Sequence, residues 1–320
     1  MSPKDDSAKI SVVFLGSGPV AAQSLKLLAR HTTIEAVITK PRPVHHKGPV
    51  PVLDLCHGPE SPCTNVIEVT NKAELSAAVA HAGFTSRLGV VIDFGIIITQ
   101  DVIDSFELGI INSHFSLLPQ WRGADPITFS ILSGQPVTGV SLMRITAGLD
   151  EGPLLAIGEY QFEGTETTPE LTERLIALSD ALLAHEIPRY ASGQATLQPQ
   201  EFCASSLGYS PEPSFSRKLS KADGVLDFHK PALQLEREIR AFVGWPGSRA
   251  VIAGRDVVVT VAHVAPAQEH ALPPGMPWQA GKQFGFYTED GTILVIDRLK
   301  PAGKSEMSAE AFLAGHRHRL

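Results

Sequence analysis

Four short runs, SVVFLG at 11–16, IEAVIT at 34–39, LGVVIDFG at 88–95 and GIINSH at 109–114, are apolar almost without interruption. A strand open to water on one face alternates apolar and polar residues, so a run that is apolar at both parities belongs to a sheet covered on both faces. Helical patterns separate these runs: PVAAQSLKLLARH opens with Pro at its first turn, and NKAELSAAVAHAG has Asn71 placed to cap it. Buried strands alternating with helices give an α/β fold with a Rossmann-like, mostly parallel sheet. NVIEVT at 65–70 adds a strand, and GVSLMRIT at 139–146 and LLAIGEYQF at 154–162 add two more. The amphipathic run 168–193 is one long helix that closes the first domain, expected to span 1–192.

Residues 193–213 are rich in Pro, Ser and Gln without sustained periodicity, as in a linker. From 214 to 320 the pattern changes. QLEREIRAFVG reads as a helix that stops before Gly244 and Pro246, and the rest is strand-like, with Asp290-Gly291 marking a hairpin. A small, mostly antiparallel, OB-like β-barrel is the expected second domain.

At 320 residues, 43 % hydrophobic and 19 % charged, the chain has the composition of a globular protein. It contains no apolar run long enough to span a membrane. Its polar start, MSPKDDSAKI, reads as a short lead to the first strand and not as a signal peptide. Three sparse cysteines, Cys56, Cys63 and Cys203, suit a reducing cytoplasm, and their spacing fits no zinc pattern, so no metal is expected. The net charge of −7 is uneven: residues 205–320 carry 14 basic against 12 acidic side chains, the remainder 13 against 22. The C-terminal part is therefore the one suited to a polyanion, although ordinary surface variation would give the same figures.

Two strand ends carry chemistry. The first strand ends in Gly16-Ser17-Gly18-Pro19-Val20-Ala21, which satisfies a dinucleotide-binding spacing. The acidic residue that should close the second strand is missing, where Thr39 and Lys40 stand, so a structural turn is the alternative use of those glycines. The strand GIINSH ends with Asn112 and His114 on one side, because side chains alternate with a period of two. The loop after GVSLMRIT carries Asp150 between glycines. A carboxamide can donate to a developing oxyanion, an imidazole can move a proton, and a carboxylate can orient the imidazole. No serine or cysteine nucleophile accompanies them, so no acyl-enzyme is indicated. Each residue also has a plain structural use: Asn112 capping a strand end, His114 a satisfied core histidine, Asp150 capping a turn.

Asn112-Ser113-His114, then Ser116-Leu117-Leu118-Pro119, Arg122-Gly123-Ala124 and Pro126-Ile127, resemble the signature of the 10-formyltetrahydrofolate-dependent formyltransferases. Gly139 to Met143 leading to Leu149-Asp150-Glu151-Gly152 is similar to that family's second motif. The resemblance covers nearly the whole chain and implies that Asn112, His114 and Asp150 are the catalytic trio, and that Phe94, Gly95 and Ile96 with Ser116, Leu117, Leu118 and Pro119 line the folate slot. It implies 10-formyltetrahydrofolate as formyl donor and no metal. Leu219 to Asp223, Ile239 to Phe242 with Trp245-Pro246, and Lys300 to Lys304 with Met307 are similar to the branch that acts on initiator methionyl-tRNA. That branch implies a monomer and a tRNA contact through basic residues such as Arg42, Lys47, Arg217, Lys218, Lys221 and Lys304. The loop KPRPVHHKGPVPV departs from it: Arg42, His45, His46 and Lys47 are basic, but the branch's glycine-flanked arginine is absent and the loop is short. An amino-sugar nucleotide as acceptor, water as acceptor, and a non-catalytic nucleotide-binding module are the alternatives.

Overall fold

The computed structural model describes residues 9–45, 47–267 and 272–315, so His46 lies outside the described residues. In chain order the first elements are β1 (Ser11–Leu15), α1 (Pro19–Leu28), β2 (Thr33–Thr39), α2 (Pro51–Cys56), β3 (Val66–Glu68), α3 (Lys72–Ala82), β4 (Leu88–Val91) and α4 (Gln100–Asp104). Next come β5 (Ile110–His114), β6 (Arg122–Gly123), α5 (Pro126–Ser133), β7 (Val137–Arg144), β8 (Leu154–Gln161), α6 (Thr168–Ala191) and α7 (Gln200–Ser206). The chain continues through β9 (Phe215–Ser216), a 3₁₀ turn at Lys221–Gly224, α8 (Ala232–Ala241), β10 (Ser248–Ile252), β11 (Arg255–Ala265), β12 (Pro277–Ala280), β13 (Gln283–Tyr287), β14 (Ile293–Pro301), β15 (Met307–Ser308) and α9 (Ala309–Ala314).

Two compact units result. The first holds the chain up to Gly123, Val137–Gln161 and Thr172–Phe215; the second holds Ala124–Pro136, Phe162–Leu171 and the chain from Ser216 onward.

The sheet of the first unit runs β3-β2-β1-β4-β5-β7-β8. Its first five strands are parallel, as the uninterrupted apolar runs require, and Val12 to Leu15 and Leu88 to Val91 are buried on both faces. β7 and β8 are antiparallel additions. Val13, Leu15, Ile38, Val91 and Ile110 form one core with Leu75 and Val79 of α3, Val102 of α4 and Phe106 just beyond α4. α3 starts as its sequence indicates: the Asn71 carboxamide accepts from the Ala73 and Glu74 amides, and Glu74 accepts from the Thr70 amide.

The segment 193–213, expected as a linker, contains a short helix, α7. The seven residues of that helix are too few to show a period, so the sequence pattern does not reveal it. α5 belongs to the second unit and packs against α8 there, with the Gln234 side chain donating to the Leu132 carbonyl.

The second unit carries an antiparallel sheet ordered β10-β11-β14-β13-β12, with β15 beside β14. The Asp290-Gly291 signal is the turn of the β13–β14 hairpin, where Tyr287 pairs with Ile293. β10 and β11 join through Ala253 and Gly254, both at positive φ, the two-residue turn whose twist suits a hairpin. Leu235 and Ile239 of α8 and Phe312 and Leu313 of α9 close the core over Val257, Val259, Phe284, Ile296 and Leu299. Among the described residues, no helix is long and apolar enough to cross a membrane.

Candidate active site

β5 delivers its polar residues as strand alternation dictates. Ser113 turns to one face, where its hydroxyl lies 2.7 Å from that of Ser179 on α6. Asn112 and His114 turn to the other face; His114 is 6 % exposed and Asn112 is partly exposed.

The partner of this pair arrives by a route the sequence does not reveal. β7 runs antiparallel to β5, with Ile111 opposite Arg144 and His114 opposite Ser141, so the β7–β8 connection leaves the sheet level with Ile111. The loop then carries Asp150 back over the face. Its Oδ1 lies 3.5 Å from Asn112 Nδ2 and its Oδ2 lies 3.7 Å from His114 Nδ1. Asp150 holds a left-handed φ of 50°, a conformation that costs a non-glycine residue on the order of 1 kcal/mol. The Gly123 amide fixes its carboxylate by donating to Oδ2 at 2.8 Å.

His114 is oriented from its other nitrogen. Nε2 lies 2.9 Å from the Trp121 carbonyl, which can only accept, so Nε2 carries a proton. Nδ1 is thereby the nitrogen that faces the carboxylate, at ion-pair range. The Asn112 carboxamide is lightly held, since 3.5 Å is the outer limit of a hydrogen bond. One carboxamide donor, one oriented imidazole and one carboxylate thus converge on a single face.

Ser141, opposite His114 on β7, shapes the loop beside them: its hydroxyl donates to the Ser116 carbonyl at 2.8 Å and accepts from the Leu118 amide at 3.0 Å. Ser116 donates to the Gln120 carbonyl at 2.6 Å, and the Leu118–Pro119 bond is cis. The side chains of Ser116, Leu117 and Leu118 are buried, and so is that of Phe94. Gly95 has φ 65° and its carbonyl accepts from Lys40 Nζ at 3.0 Å; Ile96 packs partly against the core. At segments 94–96 and 116–119 the side chains of Phe94, Ser116, Leu117 and Leu118 are therefore withdrawn from the surface.

The Gly16–Gly18 turn is closed on itself. The Gly16 amide donates to the Ile38 carbonyl, and the Ser17 and Gly18 amides donate to the Asp93 carbonyl. Those amides are not presented to a phosphate. Cys56 and Cys63 are buried thiols, and burial, with Cys63 adjacent, pushes Cys56 up to about 11. Among the described residues, no three His, Cys, Asp or Glu side chains are grouped to hold a metal ion.

The basic set is not uniform. Lys47, Lys218, Lys221 and Lys304 are exposed. Arg42 donates to the Gly48 carbonyl and pairs with Asp54, while Arg217 pairs through both terminal nitrogens with Asp223. The Arg217 hydrogen bonds, together with those from Ser220, hold the Asp223 carboxyl far below the usual carboxylate range.

Two further residues reach the Asp150 loop: Arg122, which the sequence offered only as part of a signature, and Gln200 of α7, which it did not single out. Gln200 Nε2 donates to the carbonyls of Asp150 and Gly152, each at 2.8 Å. A glutamine in a polar stretch carries no signal of its own.

The model described as formyl transferase matches residues 8–187, and that described as formyl transferase, C-terminal domain, matches 218–317. The chain is 32 % identical over 311 residues to a methionyl-tRNA formyltransferase of Chloroflexus aggregans, covering 95 % of this chain and 96 % of that one. It is 33 % identical to a Myxococcus xanthus protein of the same name, covering 96 % and 95 %. In structure it resembles an N-formyltransferase of Helicobacter canadensis solved with folinic acid and dTDP-3-aminofucose, with a TM-score of 0.64 at 18 % identity over 90 % of this chain and 98 % of that one. HypX of Aquifex aeolicus, solved with tetrahydrofolic acid, gives a TM-score of 0.59 at 14 % identity over 97 % of this chain and 48 % of that one. At these identities the structural likeness is one of fold.

Proposed function

The chain belongs to the formyl transferase family, and from that premise we propose that it transfers a formyl group from 10-formyltetrahydrofolate to the α-amino group of methionyl initiator tRNA. The observation that carries the reading is the convergence of Asn112, His114 and Asp150 on one face of the sheet. Relatives of that name, matched over almost their full length, support the acceptor.

The chemistry asks for three things. The neutral amine attacks the formyl carbon, and the carbonyl oxygen becomes an oxyanion. Asn112 Nδ2, held only lightly by Asp150, donates to that oxygen. A carboxamide at rest in that direction needs no reorganisation as the charge develops, and losing such a donor typically costs about 10²–10³ in rate. The proton released by the amine has the Asp150 carboxylate to receive it, directly or through a water, and His114 Nδ1 at 3.7 Å to exchange with. A proton on Nδ1 makes an imidazolium that stabilises the neighbouring negative charge, while Trp121 keeps the ring from turning.

The donor supplies the formyl carbon, and its nitrogen leaves with a proton. Segments 94–96 and 116–119 are the surface assigned to the flat heterocycle of the donor, because the side chains of Phe94, Ser116, Leu117 and Leu118 are turned into the core and leave its approach open. The first unit carries the chemistry and the basic residues of the second contact tRNA. Exposed Lys218, Lys221 and Lys304, with Lys47, meet phosphates as point charges.

The deciding assay supplies formyl donor with charged initiator tRNA, with an amino-sugar nucleotide, or with water alone. Formylated methionyl-tRNA is the expected product, and the KM for tRNA rises with salt. Product only from the amino sugar, or only free formate, overturns the assignment, and a salt-independent KM removes the lysines from it.

A further inference from the structure

We propose that Gln200 is a positioning residue that holds the Asp150 carboxylate in its working place, with Arg122 as its anchor. This rests on the role assigned to Asp150 above. A residue at left-handed φ in a glycine-flanked loop has no strand or helix to keep it there, so something else must hold the loop. The Gln200 side chain does so with both ends. Its amide nitrogen gives one hydrogen to the Asp150 carbonyl and the other to the Gly152 carbonyl, each at 2.8 Å. Its amide oxygen accepts from Arg122 Nη2 at 2.8 Å and from Arg122 Nε at 3.3 Å. Gln200 is 2 % exposed and Arg122 7 % exposed, so these bonds form out of water, where an unmatched group is costly. The direction of the amide is set by its neighbours: the two carbonyls can only accept, and the guanidinium can only donate.

Arg122 sits between the two residues that fix the catalytic pair. The Trp121 carbonyl accepts a hydrogen bond from His114 Nε2 and the Gly123 amide donates to Asp150 Oδ2, while the Arg122 amide itself donates to the Ser214 carbonyl at 2.9 Å. The short segment 121–123 thus sets imidazole and carboxylate from one piece of backbone, and Gln200 ties the loop bearing the carboxylate to that same piece. Arg122 Nη1 adds a 3.5 Å contact to the Glu151 carboxylate in the loop. Gln200 comes from α7, well beyond the loop along the chain, so the linker stretch supplies a part of the active centre.

The test compares Gln200→Leu, Gln200→Glu and Asp150→Asn in the full-length protein, with kcat and both KM values measured at constant pH. The Gln200→Glu change keeps the side-chain length and the Arg122 contact but replaces the two donors by an acceptor facing two carbonyls. Both Gln200 variants are expected to lose about 10- to 100-fold in kcat, with KM for formyl donor and tRNA within about twofold. In the Asp150→Asn background, Gln200→Leu is expected to add less than about twofold, because the group it positions is already disabled. A Gln200→Leu kcat within twofold of the parent, or a full additive loss in the double variant, overturns the proposal. If Gln200→Leu does not fold, Gln200→Glu is read alone, and a kcat within twofold of the parent overturns the proposal in the same way. If Asp150→Asn itself keeps the parental kcat, the reading of Asp150 fails, and that result is distinct from either outcome at Gln200.

Discussion

Two strand ends of the same mostly parallel sheet, those of β1 and β5, use their polar groups in opposite ways. After β1, the amides of Gly16, Ser17 and Gly18 all donate to nearby carbonyls, and the Ser17 hydroxyl bonds to the Phe94 carbonyl at 2.9 Å. At the end of β5, Asn112 has a single long contact and His114 faces a carboxylate beyond hydrogen-bond distance. The loop after β1 is satisfied internally and serves packing. At the end of β5, Trp121 holds the far nitrogen of His114, Ser141 holds the adjoining loop and Gly123 holds Asp150, so that the inward groups stay available. A glycine-rich spacing here accompanies tight packing, and a plain Asn-x-His carries the proposed site.

The largest effect should come from the end of β5. Asn112→Ala is expected to lower kcat by about 10²–10³ with the thermal midpoint changed by no more than a few degrees. Steady-state formylation together with a melting curve checks this, and near-parental turnover removes Asn112 from the chemistry.

Gly16→Ala should show the converse. A Cβ there would stand 2.6 Å from Phe14 Cε1, 2.7 Å from Ala21 Cβ and 2.7 Å from the Ile92 carbonyl oxygen. Such overpacking costs about 1–3 kcal/mol, readable in urea unfolding, while kcat per folded molecule stays within about twofold. A specific loss of donor binding without a loss of stability would show that the loop after β1 has a ligand after all.

Arg217 and Asp223 extend the contrast to the second unit, since their polar groups also face each other. The hydrogen bonds from Arg217, then those from Ser220, depress the Asp223 carboxyl below its ordinary value of 3.8. A depressed carboxyl stabilises the fold above the unfolded value and loses that contribution as pH falls towards the folded one. Asp223→Asn is therefore expected to destabilise at pH 7 and to differ progressively less from the parent below about pH 4. A difference that holds constant down to acid pH would mean that the carboxylate charge is not what stabilises the turn.

The smallest effects belong to the exposed lysines. Lys218→Ala and Lys221→Ala should each raise the KM for tRNA modestly and reduce its salt dependence by about one unit of slope, with kcat unchanged. Arg217→Ala, by contrast, should act first on stability. Equal effects of Arg217 and Lys218 on tRNA KM alone would erase the distinction between the ion-paired arginine and the exposed lysines.

Much of this was legible in the chain. Uninterrupted apolar runs specify a doubly covered sheet, Asn71 specifies a helix start, and Asp290-Gly291 a hairpin turn, because each depends on local sterics and solvation alone. The period of two placed Asn112 and His114 on one side without reference to anything else. The antiparallel entry of β7, the return of the Asp150 loop over the sheet face and the placement of α5 with α8 were not legible. Each depends on which distant surface an apolar residue meets, and residue identity does not encode that separation. Gln200 is the clearest case: it is an ordinary polar residue in an aperiodic stretch. Two carbonyls and a guanidinium from elsewhere in the chain surround it. The sequence by itself determined the parallel core strands, their burial on both faces and the Asn-x-His pair at the end of β5. Family likeness already named Asp150; only tertiary structure decided how its carboxylate reaches that chemistry and what holds it there, because hydrogen bonds between remote segments exist only once the sheet has brought them within about 3 Å.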